Sequence, residues 1–144
     1  MGTVLAIDNW SEFAGPRDEF LVNFEKYKGS NNASFLEADC FSTEISSLPK
    51  FNMYLYDGDH KQESHRKALT HYINALDPIF IYVVDDWNWN CVRSGTFDAY
   101  RELNLKPLFE KEIRLTWDDT HTPQPLAMET WHNGIYVAIL QKPE

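Results

Sequence analysis

The 144 residues predict an α/β fold: a mostly parallel sheet with helices on both faces, spanning residues 1–144 as a single domain. Three observations predict it. Short apolar runs alternate with amphipathic segments, the pattern of a sheet covered by helices. The clearest runs, Phe51–Tyr56 and Ile79–Val84, are continuously apolar or aromatic enough for buried parallel strands. The last two apolar segments, Leu105–Leu115 and Gly134–Gln141, have no helix between them, so they should pair antiparallel.

Each element has a local reason. Thr3–Ile7 is an apolar strand ending at Asp8. Gly15-Pro16 opens a helix, because proline suits the first helical position; Asp18 and Glu19 favour its first turn through the dipole. Phe20, Leu21, Phe24 and Tyr27 share one face of that helix, and Gly29 stops it. Ala33–Leu36 is a strand, with Glu37, Asp39 and Cys40 just beyond it, and Glu44–Leu48 is one helical turn halted by Pro49. Lys61–Leu76 is a helix whose buried stripe is Ala68, Leu69, Tyr72, Ile73 and Leu76, with His65, Arg66 and Lys67 largely outside it. Asp77-Pro78 ends that helix, and the following strand reaches Asp85-Asp86. A helix over about Arg93–Leu103 buries Phe97, Tyr100 and Leu103 or close neighbours. Thr116–Asn133, with two prolines, Trp117 and Trp131, is a long loop or flap, a kind of segment that is often functional.

Composition limits the function classes. Twenty-two acids against 13 bases give a net charge of −9, which argues against general binding of a nucleic-acid backbone. There is no long apolar run for a membrane span and no secretion-signal layout at the start, so the cytoplasm is the expected location. Cys40 and Cys91 make no disulfide framework and are expected reduced.

The chemistry concentrates at strand ends. Right-handed crossovers place the carboxyl-end loops of parallel strands on one edge, where open α/β sheets bind ligands. Asp8, Asp39, Asp57, Asp85 and Asp86 are all predicted on that edge. Gathered carboxylates repel unless a proton or cation compensates, so a divalent-metal or cofactor site is the first expectation.

Asp57-Gly58-Asp59-His60 after one strand and Val84-Asp85-Asp86-Trp87 after the next, with the final antiparallel pair, resemble the class I S-adenosylmethionine-dependent methyltransferases. The nearer likeness is to the metal-dependent small-molecule O-methyltransferases of the macrocin and novobiocin type. The resemblance implies a Rossmann-like sheet, S-adenosylmethionine as cofactor, magnesium, and a small-molecule acceptor. It also implies a preceding strand with a glycine-rich turn that these residues do not contain, so the chain reads as lacking its first strand. The strands ending at Asp8 and Asp57 would flank that vacant position, an edge that invites association into a homo-oligomer.

Site residues follow from the resemblance, each beside a plainer alternative. Asp57, Asp85 and Asp86 are the metal set, since hard oxygens suit magnesium; Asp85 or Asp86 alternatively caps the next helix. His60 is the general base, with Asp57 able to serve instead; alternatively His60 is a solvent-facing loop residue. Asp59 reads as the cap of the Lys61 helix. Asp8 would hold the cofactor ribose, or else cap a helix or turn; Asn9 beside it belongs to the same cofactor site, Trp10 would wall cofactor or substrate, or pack, and Asp39 and Cys40 would flank the adenine. Trp87 and Trp89 would wall cofactor or substrate, or pack. His121 and His132 read as surface or packing residues. The expected function is metal-assisted O-methyl transfer; the alternatives are a non-catalytic binding module, or one segment of an enzyme completed by another chain.

Overall fold

The computed structural model describes residues 2–11 and 15–144, and the chain forms two compact units, Met1–Glu44 and Ile45–Glu144. The fold is α/β, with parallel pairs early and an antiparallel pairing at the end.

In the first unit, β1 (Thr3–Asp8), α1 (Arg17–Lys28) and β2 (Asn32–Glu37) make one βαβ turn, with β1 and β2 parallel from Thr3↔Asn32 to Asp8↔Glu37. Rings of Trp10, Phe20, Phe24 and Phe35 pack together, Phe20 lying 5.0 Å from Phe35 and 5.1 Å from Trp10. Tyr27, expected on the buried face, is exposed. Two strands make too narrow a platform to cover the whole helix stripe, and α1 has no fully buried residue.

In the second unit, β3 (Phe51–Tyr56), α2 (Gln62–Tyr72), β4 (Leu76–Asp85), α3 (Asn90–Glu102), β5 (Lys106–Ile113), α4 (Leu126–Glu129) and β6 (Ile135–Gln141) follow in sequence. The sheet order is β3-β4-β6-β5, with β3 parallel to β4 and β6 antiparallel to both neighbours. The expected closing pair, β5 with β6, is present. β4 begins earlier than expected: Leu76 and Asp77-Pro78 belong to it, after one 3₁₀ turn at Ile73–Ala75. The β3–β4 register jumps between the Phe51↔Leu76 and Met53↔Ile81 pairs. That irregularity absorbs the proline, which has no N–H for a ladder.

The core lies on one face of this sheet. Tyr56, Phe80, Tyr82, Val84, Tyr136, Ala138 and Leu140 alternate inward beneath α2 and α3. The helices cross closely at Gly95, where a Cβ would stand 2.1 Å from the Gln62 carbonyl oxygen and 2.8 Å from His65 Cβ. This crossing buries His65, expected largely outside the stripe, to 1% exposure. It also makes Val92, Thr96 and Ala99 the core of α3 along with Tyr100, while Phe97 and Leu103 stay half-buried. No helix among the described residues is long and apolar enough to cross a membrane.

Candidate functional site

Asp57 and Asp85 meet because their strands are parallel neighbours. Tyr56 pairs with Val84, so Asp57, just past the end of β3, and Asp85, the last residue of β4, stand at the same level. One carboxylate oxygen from each of Asp57, Asp85 and Asp86 falls within a common 4.8 Å. Burial, then the negative charges of Asp57 and Asp86, hold the Asp85 carboxyl above its ordinary range, with His132 pulling the other way.

Asp86 is the braced member of the set. Its backbone is left-handed, φ +56°, a conformation aspartate tolerates better than most residues and one that turns its side chain back over the strand end. Its carboxylate is nearly buried and held on both oxygens: Asn133 Nδ2 donates to Oδ1 at 2.7 Å, and His60 Nε2 lies 2.7 Å from Oδ2. The His60 ring is about half-exposed on the solvent side of that pair. Gly58 lets the intervening loop fold over a ring, since a Cβ there would come within 2.8 Å of Tyr56.

The segment expected as a flap is stitched down. Asn88, fully buried, donates from Nδ2 to Thr122 Oγ1 at 3.1 Å and accepts at Oδ1 from the Leu115 N–H at 2.8 Å. Asn133 answers it: its carbonyl accepts from the Asn88 N–H at 2.7 Å, and its Oδ1 accepts from the Thr122 N–H at 3.2 Å. Gly134 has φ +89°, and a Cβ there would stand 2.5 Å from the Ile113 oxygen, so only glycine fits. Buried amides with every group satisfied fix a loop more firmly than surface contacts do.

The capping alternatives resolve residue by residue. Neither Asp85 nor Asp86 provides a side-chain cap for α3; Asp119 accepts from the Asn90 N–H at 2.8 Å instead. Asp59 is not the N-cap of α2, which is Lys61; its Oδ2 takes Ser64 Oγ at 2.8 Å and Lys61 Nζ at 3.0 Å. Trp87, expected to wall a ligand, is core: it is fully buried, stacks on Tyr136 at 4.1 Å and donates Nε1 to Glu112 at 2.8 Å. Trp89 is half-buried, edge-on to His121 at 4.8 Å, and His121 stacks at 6.4 Å on His132. Sequence reasoning missed Asn133; it read His132 as a surface or packing residue, and the ring does pack on His121. The one available signal was the Asn133-Gly134 turn before an apolar run.

The first unit holds the other predicted residues. Asp8 Oδ1 accepts from the Trp10 N–H at 2.6 Å and Asn9 Oδ1 from the Ser11 N–H at 3.1 Å. Asp39 Oδ1 accepts from the Phe41 N–H at 2.8 Å, capping a 3₁₀ turn at Cys40–Ser42; Cys40 is half-buried and forms no disulfide among the described residues. Trp10, at φ +58°, commits its indole to the Phe20–Phe35 cluster.

No family model and no curated protein matches this chain. Solved structures match over nearly all of it. One is the N-methyltransferase NodS from Bradyrhizobium japonicum WM9, at 14% identity and TM-score 0.60, covering 99% of this chain and 74% of that one. The same protein solved with S-adenosyl-l-homocysteine gives 15% identity and TM-score 0.57, over 99% and 67%. A candidate O-methyltransferase from Klebsiella pneumoniae gives 13% identity and TM-score 0.61, over 97% of this chain and 62% of that one. The fold is therefore the Rossmann-like α/β fold of these methyltransferases.

Proposed function

We propose that this chain is an S-adenosylmethionine-dependent methyltransferase domain, transferring the methyl group to an oxygen of a small-molecule acceptor with metal assistance. The observation that carries the reading is the Asp57–Asp85–Asp86 cluster with His60, set at the ends of two adjacent parallel strands of this fold. Fold neighbours that include a complex with S-adenosyl-l-homocysteine support the choice of cofactor.

The donor set fits a hard divalent cation. Three carboxylate oxygens converge, and the Asp85 carboxyl is raised first by burial and then by the charges of Asp57 and Asp86, which a bound cation would offset. Asp57, Asp85 and Asp86 would hold magnesium, which when bound lowers the pKa of an acceptor hydroxyl and orients it. S-adenosylmethionine supplies the methyl group as a sulfonium. His60 stands beside Asp86 to take the hydroxyl proton as the oxygen–carbon bond forms and the carbon–sulfur bond breaks, with Asp57 the other candidate base. Asn133 holds the opposite oxygen of Asp86, so the carboxylate that orients His60 does not rotate. Within the first unit, Asp8 and Asn9 are assigned to the cofactor ribose, and Asp39 and Cys40 to the adenine. Trp10 carries a packing role in addition to any contact with cofactor.

Calorimetric titration with S-adenosyl-l-homocysteine tests the reading. Measurable, magnesium-independent binding that is lost in Asp8→Ala supports the enzyme. Absence of heat up to millimolar cofactor favours the non-catalytic module, or a domain completed by another chain; gel filtration and co-purification then separate those two.

A further inference from the structure

A hollow of about 440 Å³ runs between the outer stripe of α3 and the end of β5. Arg93, Ser94, Phe97 and Arg101 line it from the helix, and Glu112 and Arg114 from the strand end. None of these residues belongs to the carboxylate cluster, and the inference does not rest on the methyl-transfer reading.

The charges around the hollow do not cancel. Three guanidiniums face two carboxylates, Asp98 and Glu112, in a chain whose net charge is −9. Both carboxylates are already engaged. Asp98 takes Arg101 and, at 2.6 Å, Gln62 Nε2; Glu112 accepts from Trp87 Nε1. Arg93 is engaged as well, donating to the Trp87 and Asn88 carbonyls and lying 3.2 Å from Asp119. Arg114 is different. It stacks on Trp117, with its guanidinium carbon 4.4 Å from the ring, and no carboxylate among the described residues lies within 4.0 Å of its guanidinium nitrogens. Its Nε is shielded from water with no hydrogen-bond partner. That leaves its terminal nitrogens, which carry a charge no carboxylate among the described residues compensates, as the groups a ligand oxyanion would meet. A planar guanidinium held against an indole is also pre-oriented for two-point contact with an oxyanion.

The geometry points to an oxyanion site here: the hollow binds the carboxylate or phosphate group of a small molecule, with Arg114 as the principal partner and Arg101, which meets Asp98 through Nη2, the second through its other nitrogens. Phe97 gives the floor an apolar patch for the ligand's carbon part.

The full chain is titrated separately with inorganic phosphate and with succinate at fixed ionic strength, following tryptophan fluorescence, because Trp117 rests on Arg114. Saturable binding of one probe is expected, and which probe binds decides between phosphate and carboxylate. Arg114→Gln should weaken it by about tenfold, the loss of one charge-assisted two-point contact, and Arg114→Lys by less, since the charge is kept. Both variants should melt with the wild-type transition by circular dichroism, since Arg114 forms no ion pair in the fold. To keep the test independent of that reporter, Arg101→Gln is titrated by calorimetry and should weaken the same probe. No saturable binding of either probe overturns the proposal, and so does binding that Arg114→Gln leaves unchanged.

Discussion

The two compact units hold their strand-end carboxylates differently. In residues 1–44, Asp8 and Asp39 each spend a side-chain oxygen on a backbone N–H two residues ahead, as the amide of Asn9 does between them. In residues 45–144, Asp86 is held by a residue 47 positions away, and Trp87 reaches Glu112 across 25. The cores differ in the same sense. Among the described residues, every buried hydrophobic side chain, from Tyr56 to Leu140, lies in the second unit, while the first has a half-buried aromatic cluster. A local cap needs only the right residue at the right offset, so it forms on one βαβ turn. A braced carboxylate needs elements from distant parts of the chain already packed, and only the larger unit supplies them.

The largest expected break in this comparison is Trp87→Ala against Trp10→Ala. Trp87 is fully buried and stacked, so its truncation should cost about 3–5 kcal/mol in denaturant unfolding. Trp10, only half-buried, should cost clearly less; equal losses would show that the first unit has a core of comparable weight.

Next comes pH. Burial, then the nearby His60, lowers the His65 pKa from 6.5 to about 4, against the smaller opposing pull of Asp86 and Asp59. The folded state therefore binds fewer protons than the unfolded chain between those values. Its stabilising effect is fully present above pH 6.5 and is lost as pH falls toward 4, by up to about 3 kcal/mol. Urea midpoints across that range should fall for the wild type and flatten in His65→Leu.

A smaller effect is expected for Asn133→Ala. It removes the donor on Asp86 Oδ1 and the acceptor for the Thr122 N–H, at about 1–3 kcal/mol for the buried groups left unpaired. It should lower turnover with little change in cofactor affinity, and a cofactor-affinity loss instead would overturn its role as a brace. Asp86→Asn should abolish magnesium-dependent turnover. Because Asp86 is buried and braced rather than part of a loose strand-end loop, it should also shift the melting temperature. The smallest effect belongs to Asp39→Ala, an exposed local cap, at about 1 kcal/mol or less by thermal melting.

The strands and helices were legible because their signals are local. Apolar runs, Pro16 at a helix start and the acid-ended runs Phe51–Tyr56 and Ile79–Val84 carry their own instructions, though not the earlier start of β4 at Leu76. The convergence of Asp57 with Asp85 and Asp86 was legible too, since parallel neighbours bring their carboxyl ends to one level. The burial of His65 was not, because it depends on α3 approaching α2 at Gly95, and a lone glycine inside a helix does not name the backbone it must admit.

Residue order alone thus determined the alternation of elements, the caps that acidic side chains place on their own turns, and which acids end parallel strands. Packing in three dimensions decided that Trp87 is core rather than wall, that residues 116–133 are pinned by Asn88 and Asn133, and that Asp86 is gripped on both oxygens. The physical reason is range. A hydrogen bond across two residues is specified by a short stretch of sequence, whereas one across 47 exists only after the sheet and helices between have chosen their places.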